Sequence, residues 1–147
     1  MKKLALLILV VVLLLGLIGC EAFTPISEEE KAESVVYDYF EAFNELDWDK
    51  AKSCCVIGSD MYNDTLQTQT YFESVEVAFS LNMIVNITST SVNGNYAEVN
   101  FYLTVTMVLE GTESEFTKDD ITCYLQKVGN NWKIYDSENL EYEESDT

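Results

Sequence analysis

Four cysteines, nine tyrosines and 26 acidic residues are the groups in this 147-residue chain whose types could do chemistry. Histidine and arginine are absent. Without histidine, a serine triad and a His–Asp dehydratase are both excluded. Tyrosines and carboxylates are the groups that remain for acid–base work, with Tyr39, Tyr102 and Tyr124 as the interior tyrosines and Asp38, Asp120 or Asp136 as the possible acids. No signature fixes these groups in one place, so no catalytic residue is assigned and the chain is read as a non-enzyme. Asp60, Asn63 and Asp64, and separately Asp119-Asp120, offer oxygen ligands but match no calcium loop. They read as solvated charge in turns, and neither a metal nor a cofactor is expected. Zinc is disfavoured because adjacent cysteines lack the spacer of a structural site. Cys54, Cys55 and Cys123 leave two readings open. Cys54 or Cys55 could bridge to Cys123 in an oxidising compartment, or all three are small buried apolar residues.

Cys20 stands in a different context. Lys2 and Lys3 precede an apolar run from Leu4 to Leu15, Gly16 breaks it, and Leu17-Ile18-Gly19-Cys20 follows. This pattern resembles the bacterial lipobox behind an export signal. The resemblance implies a diacylglycerol on the Cys20 sulfur, cleavage before it, a signal peptide over 1–19 and a lipidated tether over 20–26. It places the domain outside the cytoplasm, held to a membrane by lipid. The competing reading is an uncleaved anchor, but Leu4 to Gly19 gives only 16 residues, where a span takes roughly 20.

Removing residues 1–19 leaves 128 residues, enough for one domain. Six lysines then face 26 acids, a charge of −20. Such a surface repels phosphate backbones and excludes nucleic acid as a partner.

Any site must be positioned by the elements that follow. Ser27 with Glu30 makes a capping box, and Val35, Val36, Tyr39, Phe40 and Phe43 recur at helical spacing. Asp47 caps a shorter helix through Trp48 and Ala51 that Gly58 ends. Leu66, Tyr71, Phe72, Val75 and Phe79 permit a third helix. Beyond Leu81 the period becomes two. Met83, Val85 and Ile87 alternate with Ile84, Asn86 and Thr88, and Asn93-Gly94 signals a hairpin. Val99, Phe101, Leu103, Val105, Met107 and Leu109 share one face of a long strand, which Glu110 to Ser114 turns. Ile121, Cys123 and Leu125 share a face from which Phe116 is out of phase, predicting a bulge near Lys118-Asp119-Asp120. Gly129-Asn130 turns into Trp132, Ile134 and Tyr135. The pattern is α+β: N-terminal helices packed on a curved, antiparallel four-stranded sheet over 27–140, with an acidic tail over 141–147.

Two stretches carry a family resemblance. One is Tyr37-Asp38-Tyr39-Phe40-Glu41-Ala42-Phe43 with Leu46-Asp47-Trp48-Asp49-Lys50-Ala51. The other is Tyr124-Leu125-Gln126-Lys127-Val128-Gly129-Asn130-Asn131-Trp132-Lys133-Ile134. Together they resemble the nuclear transport factor 2-like superfamily, also called cystatin-like or SnoaL-like, over roughly residues 28–137. The resemblance implies a cone between sheet and helices that binds a small apolar ligand or does acid–base chemistry on it, with a carboxylate as base and a tyrosine as oxyanion donor, or a sheet face that dimerises or holds a partner. Tyr39, Phe43, Phe101, Tyr102, Tyr124 and Trp132 are the residues expected to line that cone. Fold alone does not choose an activity. The expected function is a lipid-anchored, extracytoplasmic binding domain. Its alternatives are an isomerase- or dehydratase-like enzyme using a Tyr/Asp pair, and a dimerising envelope component.

Overall fold

Ser27 starts the first helix as the sequence requires. Its hydroxyl accepts from the Glu30 amide at 3.1 Å while its own amide donates to the Glu30 carboxylate at 2.9 Å. Such a cap contributes about 1 kcal/mol, and Glu28, Glu29 and Glu30 suit the positive helix end. The computed structural model describes residues 25–140. The signal segment 1–19, with Leu17, Ile18 and Gly19, lies outside the described residues, as do Cys20 and the tail 141–147. Among the described residues, no helix is long and apolar enough to cross a membrane.

Helix α1 spans Glu28–Glu45 and buries Ala32, Val36, Tyr39, Phe40, Ala42 and Phe43. It ends where Leu46 adopts a left-handed conformation (φ 54°) and the Asp47 amide bonds back to Ala42 O at 2.8 Å. Asp47 then caps α2, Trp48–Ser53, accepting from the Lys50 amide at 3.0 Å. Helix α3, Asp60–Ser74, is capped by Ser59. Its buried side differs from the expected one: Met61 and Thr65 face inward, whereas Leu66 is 45% exposed. The apolar spacing of Leu66 and Tyr71 had suggested a different stripe. The helix is too polar for leucines and aromatics alone to reveal its inner face.

Four strands follow: β1 (Phe79–Asn93), β2 (Tyr96–Leu109), β3 (Thr112–Val128) and β4 (Asn131–Glu138). They form one antiparallel sheet in the order β1-β2-β3-β4. The β2–β3 turn is tighter than the sequence suggested. Glu110 and Gly111 alone make it, both at positive φ (50° and 82°), and Leu109 pairs with Thr112. A two-residue turn of this handedness matches the strand twist, so the strand pairing extends through Thr112 and Ser114. The segment after α2 adds a short parallel bridge to β4: Val56 N donates to Ile134 O at 2.8 Å, and Ile134 N to Cys54 O at 2.9 Å.

The register slips once in each strand pair. Thr88 is the extra residue on β1, Asp119-Asp120 oppose Tyr102, and Tyr135 is extra on β4. Asp120 takes positive φ (55°) at its slip. The slip between Phe116 and Ile121 expected from the sequence is therefore present. These irregularities cross the sheet as a band near residues 97–102 of β2. Bulges bend and twist the strands that carry them, so the sheet curves there. Along the band and towards the β3–β4 hairpin, Ala97, Val99, Cys123, Leu125 and Ile134 belong to the core with Ala32 and Val36 of α1. Beyond it, Leu103 and Val105 belong to the same core and, with Met107, line a cavity.

Candidate ligand cavity

The cavity encloses about 700 Å³ between α1, α3 and the far half of the sheet. From α1 come Tyr39, Phe40 and Phe43, and from α3 Met61, Asp64, Gln67, Thr68, Tyr71 and Phe72. The sheet supplies Leu81, Met83, Leu103, Val105, Met107 and Phe116, with Lys118, Ser137 and Leu140 beside them. Asp64, Gln67 and the 67% exposed Tyr71 place its mouth along α3. A ladder of rings supports one wall. Tyr39 lies 4.9 Å from Phe43, Phe43 5.1 Å from Trp48, Trp48 stacks 5.7 Å from Phe72, and Phe72 is 5.0 Å from Phe79. Each such pair contributes about 0.5–1.5 kcal/mol beyond its burial, and the series ties all three helices to β1.

Of the six residues expected to line the cone, two do so, Tyr39 and Phe43. Phe101 is 1% exposed and sealed in the core, 5.5 Å from Phe40. Tyr102 and Tyr124 alternate with inward residues and so face the sheet's outer side, where Tyr124 lies 6.3 Å from Tyr135. Trp132 closes the opposite end of the molecule. Its indole N–H donates to Glu28 Oε2 at 3.0 Å. Lys127 Nζ meets the same oxygen at 2.6 Å while lying 5.0 Å from the Trp132 ring centre. Lys127 and then Lys31 hold the Glu28 carboxyl down at about 2. Trp132 also lines a smaller cleft of about 360 Å³ that includes Asp38 and Cys54.

Met61 and the cavity-facing side of α3 are the features that apolar periodicity alone does not mark. The spacing of Met61, Asp64, Thr68, Tyr71 and Phe72 marks one helical face, and Met83 and Met107 already stood on inward strand positions.

Inside the cavity wall a small polar network is closed. Thr65 Oγ1 donates to Met61 O at 2.7 Å, which uses its only proton. The Tyr39 hydroxyl, 2.9 Å away, therefore donates to Thr65 Oγ1. Burial pushes the ionisation of Tyr39 well above its usual range. Its proton is thus committed within the protein. None of the acids considered for a base, Asp38, Asp120 or Asp136, lines the cavity; Asp64 is the carboxylate that does.

Cys54, Cys55 and Cys123 are free, buried thiols. Cys55 Sγ approaches Ala51 O at 3.6 Å and Thr65 Oγ1 at 3.8 Å. Burial raises all three, Cys55 to about 12. They stand as core residues that stay protonated and poorly nucleophilic. Among the described residues, no group of three His, Cys, Asp or Glu side chains could hold a metal.

A family model for the C-terminal domain of the anti-sigma-I factor RsgI9 matches residues 34–144. No curated protein matches the sequence. Among solved structures, a ketosteroid isomerase-like protein from Erwinia carotovora atroseptica superposes with a TM-score of 0.61 at 15% identity, covering 76% of this chain and 93% of its own. The beta subunit of benzoate 1,2-dioxygenase from Burkholderia mallei gives 0.58 at 14%, covering 78% and 90%. A nuclear transport factor 2-like protein of unknown function from Pseudomonas putida gives 0.54 at 9%, covering 74% and 82%. At these identities the likeness establishes the nuclear transport factor 2-like fold.

Proposed function

We propose that this chain, which belongs to the family of the anti-sigma-I factor RsgI9 C-terminal domain, works by recognition and not by catalysis, binding a small, largely apolar ligand in its cone. The observation that carries this reading is the cavity itself: about 700 Å³, with a mainly apolar and aromatic lining and a few polar groups at its mouth. Binding sites have this construction. The committed Tyr39 proton supports the non-catalytic half, because an oxyanion donor needs a proton free to point at substrate. The family name supports a regulatory setting, with the domain as the receptor part. Export and a lipid on Cys20 complete the proposal: the Leu17-Ile18-Gly19-Cys20 pattern would hold the receptor at a membrane surface outside the cytoplasm.

Methionine methyl resonances test the binding directly. Met61, Met83 and Met107 line the cavity, so 3-phenylpropanol added to the ¹³C-methyl-methionine-labelled full-length chain in neutral detergent should shift all three signals. Leu103→Trp, which fills the cavity, should abolish the shifts while the protein stays folded by circular dichroism. Unmoved methionine signals in the unmutated chain, up to the solubility of the alcohol, would end the receptor reading.

A further inference from the structure

Charge is unevenly distributed around the cone. The segments that supply α3, the β2–β3 hairpin and the end of β4, residues 60–76, 110–120 and 136–140, carry eleven acids and one lysine, Lys118. The other described lysines lie on α1, α2 and the β3–β4 hairpin. Lys31 and Lys127 pair with Glu28, Lys50 with Glu41 and Glu45, and Lys52 with Asp49. The Lys133 ammonium donates to Ser53 O. These lysines are therefore engaged within α1, α2 and the β3–β4 hairpin, and the segments that supply α3, the β2–β3 hairpin and the end of β4 are strongly negative. A field of one sign around a low-dielectric cleft concentrates ions of the opposite sign.

The lining itself carries one charge of each sign, Asp64 and Lys118, and its aromatic and thioether groups supply the matching chemistry. Tyr39, Phe43, Tyr71, Phe72 and Phe116 offer aromatic faces, whose negative quadrupole attracts cations. All three methionines of the described chain lie there as well. Their flexible thioethers adapt to ligands of varied outline. From this juxtaposition we infer that the cone is selective for a cationic amphiphile, an apolar body bearing an ammonium-type head, and discriminates against anionic amphiphiles of the same shape. The inference rests on the receptor reading and adds the class of ligand.

Three probes of matched body separate the two claims: 3-phenylpropyltrimethylammonium, 3-phenylpropanol and 3-phenylpropanoate, titrated against the methionine signals of the full-length chain. The alcohol reports the cavity, and its binding is required by the receptor reading alone. The ammonium should bind about ten-fold more tightly than the carboxylate at low salt, and the ratio should shrink as ionic strength rises. The double charge reversal Glu76→Lys with Glu113→Lys, at exposed sites outside the lining, should narrow the ratio while leaving the alcohol unaffected. A carboxylate that binds as tightly as the ammonium, or a ratio indifferent to the double reversal, overturns the inference with the receptor reading intact. Failure of the alcohol to bind defeats both.

Discussion

The side-chain amide of Asn44 pairs with the main chain of Met83 as a neighbouring strand would. Its Nδ2 donates to Met83 O at 3.0 Å, and the Met83 amide donates to Oδ1 at 2.6 Å. Asn44 stands in the last turn of α1 and Met83 on the outer edge of β1, so the pair joins helix to sheet at a residue that lines the cavity. Asn44→Ala leaves both main-chain groups without that partner and should lower stability by about 1–3 kcal/mol. Asn44→Asp keeps the acceptor and loses the donor, and should fall between. Urea unfolding followed by circular dichroism measures both, and equal stability for Asn44→Ala and the unmutated chain would show the pair to be incidental.

Glu28 predicts an acid response. Its carboxyl is held at about 2 against an ordinary value of 4.5, chiefly by Lys127 and then Lys31. A depressed carboxyl contributes stability that is present above the unfolded value and is lost as pH falls through the folded one. The contribution should fade between about pH 4.5 and 2. The difference in urea midpoint between the unmutated chain and Glu28→Gln should be greatest above that window and close within it. Because the carboxylate is exposed, the difference should also diminish with salt. A difference that stays constant down to pH 2 contradicts this assignment.

Asp120 occupies the slip in β3 at positive φ (55°), and its carbonyl accepts from Asn139 Nδ2 at 2.9 Å. Asp is tolerated in this region and β-branched residues are not. Asp120→Gly should be near neutral, and Asp120→Val should cost about 1–2 kcal/mol. Thermal midpoints read the contrast. If valine is accommodated as well as glycine, the backbone there is not fixed as described.

The proposed lipid on Cys20 predicts a change of compartment. Cys20→Ala should abolish labelling by a fatty-acid analogue and release the chain from membranes. Membrane attachment that persists without labelling would favour the uncleaved anchor over a lipid.

Periodicity made the elements legible. The inward residues of β2 alternate without interruption from Ala97 to Val105, and Ser27, Glu30 and Asp47 announce their caps. Even the slip at Asp119-Asp120 was readable, because Phe116 fell out of phase with Ile121. The cavity was less so. Tyr102 and Tyr124 were candidates as aromatics near the cone, yet strand alternation turns them to the outer face. Phe101 and Leu103 are both buried inward residues of β2, but only Leu103, beyond the bend, also lines the cavity. No local pattern distinguishes them, because the distinction depends on where the sheet bends. The inner side of α3 was missed for a related reason: a helix that faces a cavity on one side need not carry a continuous apolar stripe.

The band of slips across the sheet separates the vessel from its contents. The shape of the cone is written in main-chain irregularities at Thr88, Asp119-Asp120 and Tyr135, whereas its lining is written in side chains at Leu103, Val105 and Met107. Two nearly independent sets of positions therefore govern whether there is a chamber and what lines it. Substitutions in the second set can change the lining without rebuilding the walls.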